Sequence, residues 1–191
     1  MVVLTAKNHK LSKVTCLKNV PRTGWLLRGI PPSIAEDVAE HTFEVMLITY
    51  ILCRKLIKNS INIDLGKALT IALFHDVPEV LMGDIVKWAK DRIGDLKERM
   101  EIEALKELGF NDEVNMFSEY LNLSSIEGVI VRIADLAATI RQGMEYLRQG
   151  YEEVTDIVRN NKLGIRKLLD SIKDEKIKEV VKKSLSELKI M

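Results

Sequence analysis

The sequence predicts a single all-α domain, and three observations carry that expectation. Lys, Glu, Leu and Ile dominate its 191 residues, while aromatics make up 5% and Gly and Pro number 10 and 4, a balance that favours helix over strand. Apolar residues recur at spacings of three and four along most of the chain, the period of a helix with a buried face. No segment alternates apolar and polar residues as a half-buried strand would. A hydrophobic content of 47% is enough for one full core.

The elements follow in chain order. Gly29-Ile30-Pro31-Pro32-Ser33 closes an N-terminal arm, residues 1–33. Ser33 as N-cap and Glu36 three residues later form a capping-box pattern, so a helix is expected from Ile34 to Lys58, its stripe being Val38, Val45, Ile48, Leu52 and Leu56. The segment from Leu65 is apolar all round except for Lys67 and Thr70 and predicts a buried central helix. Pro78 disfavours helical geometry at Val77, so that helix should end near His75-Asp76, with Pro78 in the first turn of a short new helix. Gly83-Asp84 interrupts, and Ile85 restarts. Further helices are expected over Arg92–Leu108, Asp112–Leu121 and Ser125–Leu147, with C-terminal helices over 149–191 after a core of 34–148.

Composition limits the function classes. Basic and acidic side chains number 29 and 28, so no broad field selects a nucleic-acid polymer or an anionic membrane. An anionic ligand would need a local site. Cys16 and Cys53 lack metal-knuckle or redox spacing and read as reduced thiols. The opening M-V-V-L-T-A-K-N-H-K is too short in apolar run for a signal peptide, and Val45 to Cys53, the longest apolar stretch, is far short of a membrane span. A cytoplasmic protein is expected.

Of the three histidines, His9, His41 and His75, the last two stand in suggestive company. His41 lies early in a long helix beside Glu40; taken alone, it fits a core histidine bonded to a carbonyl. His75-Asp76 taken alone fits a helix C-terminus, with Glu79 across the Pro78 break. Asp135 lies opposite the apolar stripe of its helix, yet its neighbours there, Gly128, Val131, Ala138, Thr139 and Gln142, are small and uncharged. That helix should be buried on both sides, and a buried carboxylate must be paired or bind a metal. Arg132, three residues earlier, is the competing partner. Two imidazoles and two carboxylates suit one divalent transition ion, Co²⁺, Mn²⁺, Ni²⁺, Fe²⁺ or Zn²⁺, better than Mg²⁺ or Ca²⁺.

His41, His75-Asp76 and Asp135 in this order form the H…HD…D signature of the HD domain. The longer strings P-R-T-G-W-L-L-R at 21–28, V-A-E-H-T-F at 38–43, A-L-F-H-D-V-P-E-V-L-M-G-D-I at 72–85 and V-R-I-A-D-L at 131–136 make the chain resemble HD-domain phosphohydrolases, in particular their 5′-deoxynucleotidase branch, from about Val20 to Leu147. The resemblance implies an HD-domain helical bundle with His41, His75, Asp76 and Asp135 as metal ligands. It implies that Glu79 orients or activates the attacking water, that Asp84 faces the sugar, and that Trp25 and Arg28 close over the site from the arm and hold the phosphate. Asp84 also fits an N-cap of the helix from Ile85, and Glu127 a first-turn helix charge. Gly24 stands where bacterial members carry an arginine; Arg22 is the nearby cation that could reach the same phosphate. The P-R-T-G-W form is similar to eukaryotic and archaeal members.

The expected reaction is hydrolysis of a nucleoside 5′-monophosphate. The rival readings are another phosphomonoester or pyrophosphate substrate at the same site, and a non-catalytic nucleotide-binding or scaffold protein. No histidine follows His75, which argues for one metal and against the dinuclear HD branches. A homodimer is the expectation carried by the resemblance. The C-terminal apolar set Ile172, Val180, Val181, Leu185 and Leu188 could serve a second subunit or its own domain.

Overall fold

The computed structural model describes residues 9–191. The first eight residues of the arm, with most of the N-terminal apolar run, lie outside the described residues, and His9 is placed only by its backbone. Among the described residues there is no strand. A short helix α1 (His9–Val14) leads through a 3₁₀ turn (Thr15–Asn19) to the single helical turn α2 (Thr23–Leu26). The long helix α3 (Val38–Lys58) follows, then α4 (Leu65–Phe74), α5 (Glu79–Met82), α6 (Lys87–Ile93), α7 (Asp95–Glu107), α8 (Val114–Leu121) and the second long helix, α9 (Ile126–Arg148). A 3₁₀ turn (Glu152–Val154), α10 (Thr155–Ser171) and α11 (Glu175–Glu187) complete the chain.

Two expected boundaries move. The first long helix starts at Val38 rather than Ile34, because the arm pairs with residues 36–38. Arg22 N–H donates to Glu36 O and Val38 N–H to Val20 O, both at 2.9 Å, an antiparallel bridge of Pro21 with Asp37 that keeps this segment extended. The capping box is therefore Asp37 with Glu40: Asp37 Oδ1 accepts from Glu40 N–H at 2.7 Å and Glu40 Oε2 from Asp37 N–H at 3.0 Å. Glu36 is freed from capping and turns inward. The helix expected over Arg92–Leu108 breaks at Gly94, whose φ of 57° with ψ of −137° suits glycine alone.

The core lies where α3, α4 and α9 meet. Val45, Ile48, Leu52 and Leu56 of α3, Ile71 and Ala72 of α4, and Ile130, Ile133, Ala134, Ala137 and Ile140 of α9 are all buried there. α9 is buried on both faces, as its composition predicts. α10 packs along one side of α9 and α11 on α3. Ile172, Val181 and Leu185 are buried in this same core, with Val180 and Leu188 packed against it, so the C-terminal apolar set serves its own chain. α4 is less enclosed than expected: Leu73 is 43% exposed, because α3, α8 and α9 cover it only in part. No helix among the described residues is long and apolar enough to cross a membrane.

Gly128 sets the approach of α8 to α9. A Cβ there would stand 2.9 Å from Glu119 O and 3.2 Å from Tyr120 Cα, and backbone cannot swing aside as a side-chain tip can. Gly128→Ala gains about 1 kcal/mol of helix propensity but should lose about 1–3 kcal/mol to overpacking. Urea denaturation should show net destabilisation; a more stable variant would mean that α8 gives way freely.

Candidate metal centre

Each predicted ligand reaches the centre for a local reason. His41 sits in the first turns of α3, fixed by the Asp37–Glu40 cap. His75 is the C-cap of α4, and the chain breaks there as Pro78 requires. Asp135 lies midway along α9. His41, His75 and Asp135 each offer a donor atom within 4.8 Å of the others. Asp76 Oδ2 joins them, 3.1 Å from His75 Nε2 and 3.9 Å from His41 Nε2.

The donor set fits a cation. His75 Nδ1–H donates to Ala72 O at 2.7 Å, which leaves a lone pair on Nε2. That nitrogen is buried without a hydrogen-bond partner while facing the Asp76 carboxylate. Two electron-pair donors at this range need a second proton or a cation between them, and carbonyl anchoring of the far ring nitrogen is how ligating histidines are oriented. His41 Nε2 lies 3.1 Å from Asp135 Oδ1. Burial and the Arg22 charge oppose protonation of His41, but hydrogen bonds to Asp135 and Glu36 outweigh them and hold the imidazole up at about 9. Arg22 Nη1, 3.0 Å from Nδ1, can only donate and so favours the neutral ring. Ligation through Nε2 would put the ring proton on Nδ1, which would then have to turn from Arg22 toward the Glu36 carboxylate, whose Oε1 lies 3.7 Å away.

Charge around the cluster is strongly coupled. Burial resists ionisation of Asp76 and Asp135, yet His75 beside Asp76, and His41 with Arg132 beside Asp135, hold both carboxyls well below the usual range. Glu79, in the first turn of α5, behaves oppositely. Burial first, then Asp76 and Asp84, push its carboxyl up to about 10, with Lys90 and Arg22 offsetting only part.

The arm residues divide. Arg22 reaches the cluster: Nη1 donates to Thr139 Oγ1 at 3.1 Å and Glu36 Oε2 at 3.3 Å besides meeting His41. A side chain at Gly24 would meet Ile157 of α10 at 4.0 Å. Trp25 does not close over the cluster from outside. It is 2% exposed, in a small core with Ile30, Tyr146 and Val154, and its indole N–H donates to Glu36 Oε2 at 2.9 Å. Gly143 lies beside it: a Cβ there would be in ordinary contact with Trp25 Cη2 at 3.4 Å but would stand 2.5 Å from Val158 Cγ2 of α10. Arg28 is not brought to the cluster; it forks onto Asp156 of α10 at 2.7 and 3.1 Å, a long-range pair that no local pattern announces. Asp84 does not cap the following helix, which starts at Lys87. It caps α2 from across the chain, Oδ2 accepting from Thr23 N–H at 2.5 Å. Glu127 accepts from Asp64 N–H at 3.1 Å, bonded to the start of α4 and not to the cluster.

Sequence reasoning missed Glu36, Tyr120 and Lys90. Glu36 was absorbed by a capping pattern. Tyr120 O–H donates to Asp135 Oδ2 at 3.2 Å, and Arg132, whose Nη1 donates to the same oxygen at 3.1 Å, stacks on its ring at 4.1 Å. The pairing foreseen for Arg132 thus coexists with the cluster. Lys90 Nζ lies 3.8 Å from Glu79 Oε1 and 3.7 Å from Asp84 Oδ1.

The chain matches the HD domain family over residues 14–178. It is 32% identical over 144 residues to the 5′-deoxynucleotidase hdd1 of Schizosaccharomyces pombe, covering 70% of this chain and 68% of that one. It is 29% identical over 183 residues to the 5′-deoxynucleotidase YGK1 of Saccharomyces cerevisiae, covering 90% and 77%. Among solved structures it resembles a conserved hypothetical protein of Pyrococcus furiosus, with a TM-score of 0.73 at 32% identity over 90% of this chain and 98% of that one. A Pyrococcus horikoshii protein gives 0.74 at 31% identity, over 91% and 98%. Fold, motif order and family match agree: this chain belongs to the HD-domain family.

Proposed function

We propose that the chain is a metal-dependent 5′-deoxynucleotidase, which hydrolyses a deoxynucleoside 5′-monophosphate to nucleoside and phosphate. One observation carries the reading: the buried, unpartnered lone pair of His75 Nε2 faces Asp76 at 3.1 Å, within a cluster completed by His41 and Asp135. These four residues would hold one divalent ion, and their mixed imidazole and carboxylate donors favour Mn²⁺, Fe²⁺, Co²⁺, Ni²⁺ or Zn²⁺. When bound, the ion supplies positive charge against the phosphoryl oxygens and acidifies water. The relatives named as 5′-deoxynucleotidases support the reaction and its substrate class.

The chain's own residues take the remaining roles. Glu79 accepts the proton of the attacking water, and attack runs in line at phosphorus. Its carboxyl keeps a proton at neutral pH while the cluster holds only its own charges, and every positive charge added beside Asp76 favours ionisation. A buried, proton-poised carboxyl beside the ligands supports turnover over mere nucleotide binding. Arg22 meets the phosphate, and Asp84, fixed by Thr23 N–H, lies toward the sugar.

We also infer a homodimer through α3. Phe43, Leu47, Tyr50 and Ile57 are 70%, 48%, 46% and 38% exposed and fall on one stripe of that helix. Sedimentation equilibrium should give a dimer for the wild type and a monomer for Leu47→Glu; a monomeric wild type would remove this partner.

Phosphate release across ribo- and deoxyribonucleoside mono-, di- and triphosphates with the five ions tests the function. Deoxynucleoside monophosphates should be the preferred substrates, and release from triphosphates alone would overturn the assignment. Glu79→Gln should lower kcat by about 10²–10⁴-fold at unchanged metal content. An undiminished rate would leave the water without a protein base.

The same substitution has a consequence for the metal-free chain. Burial, with Asp76 and Asp84 beside it, pushes the folded carboxyl up to about 10 from its ordinary 4.5. Between those values the folded chain holds a proton that the unfolded chain has released, so stability falls as pH rises. Glu79→Gln removes that loss. After chelation, its melting temperature should match wild type near pH 4 and exceed it increasingly from pH 6 to 9; a constant offset would contradict the burial argument.

A further inference from the structure

We propose that Lys90 is the general acid of the reaction, its ammonium delivering a proton to the 5′-oxygen as that oxygen leaves phosphorus. The inference rests on the phosphomonoesterase reading above and supplies the proton that its chemistry requires.

The arginines of the arm and cluster, Arg22, Arg28 and Arg132, are already committed. Arg22 is shared among Glu36, His41 and Thr139. Arg132 is bonded to Asp135 and stacked on Tyr120, and Arg28 is forked onto Asp156. Lys90 differs. Its nearest carboxyl oxygens, on Asp84 and Glu79, stand at 3.7 and 3.8 Å, beyond hydrogen-bond length. Its side chain is 35% exposed, so an ammonium with three donors stands at the mouth of the site. α6 has two unlike faces: Trp88 is 67% exposed with Arg92 stacked on it at 3.9 Å, while Lys90 turns to the two carboxylates. Burial works against its charge, and the Asp76 and Asp84 carboxylates help to keep Lys90 an ammonium.

Among the described residues around the cluster, no other group is placed to give this proton. His41 and His75 belong to the ligand set, and the single hydroxyl proton of Tyr120 is donated to Asp135.

The proton count closes. Water attacks phosphorus and gives one proton to the Glu79 carboxylate as the new O–P bond forms. The P–O5′ bond breaks, its electron pair stays on O5′, and the Lys90 ammonium protonates that oxygen. Glu79 is then a carboxylic acid and Lys90 an amine, 3.8 Å apart in the resting structure. Proton return from Glu79 to Lys90 restores both without a further reagent. In-line displacement places the entering and leaving oxygens at opposite apices of the phosphorus, so Glu79 must meet the water at one apex and the Lys90 ammonium O5′ at the other.

The test compares deoxyadenosine 5′-monophosphate with its 5′-thio analogue, in which sulfur bridges sugar and phosphorus. A thiolate leaves without protonation; an alkoxide does not. Lys90→Met should lower kcat on the oxygen ester by about 10²–10⁴-fold and leave the sulfur analogue near the wild-type rate. Lys90→Arg keeps the charge but holds its proton too tightly, and should stay slow on the oxygen ester alone. Circular dichroism and metal content of both variants should match the wild type. Equal losses on both substrates, or full rescue by Lys90→Arg, would overturn the assignment and make Lys90 a charge that only binds or positions phosphate. A wild type that releases phosphate from neither compound would overturn the phosphomonoesterase reading itself, and this proposal with it.

Discussion

Asp135 sits halfway along a helix buried on both faces, and a carboxylate there costs several kcal/mol unless its charge is met. The neighbourhood is organised around meeting it. His41 arrives from α3, Tyr120 from α8 and Arg132 from the preceding turn of α9, each within 3.2 Å of a carboxylate oxygen. Each partner then brings its own demands. His41 is met on its other nitrogen by Arg22, with Glu36 beside it, Glu36 is held by the Trp25 indole N–H and donates its own backbone N–H to Tyr146 Oη, and the arm is tied down by the bridge at Pro21 and Asp37. One buried charge thus fixes the register of the arm, of α3 and of α8 against α9.

The same economy explains why the site is acidic at its centre and cationic at its rim. Asp76 and Asp135 stay ionised because imidazoles and a guanidinium face them; Glu79, with two carboxylates as neighbours, does not. An arrangement with lone pairs turned inward and one carboxyl held in reserve has little use as a structural network, where every donor would find an acceptor. It suits a centre that acquires positive charge and then needs a base.

Helix content and order were legible because periodicity reports burial, and α9 was legible as doubly buried from its small residues opposite the stripe. The residues that meet at the cluster were legible through motif strings, since they are spread over three helical segments and no local spacing unites them. Glu36 was illegible for a physical reason: Ser33 and Glu36 make a sound capping box, and only the long-range bridge to the arm holds that segment extended. Trp25 and Arg28 were placed over the site by resemblance, but Trp25 is drawn into a pocket beside Gly143 and Arg28 to Asp156, which lies 128 residues away in sequence. Lys90 sits on a short polar helix whose pattern says nothing of which side faces Glu79.

Cobalt binding to the wild type and to Asp135→Asn, measured by equilibrium dialysis on the chelated protein, tests the central claim most directly. The substitution keeps shape and removes the charge. The account predicts one ion per wild-type chain and none held by a folded Asp135→Asn. Full occupancy in that variant would contradict it, and would make the buried carboxylate a partner for Arg132 and Tyr120 alone.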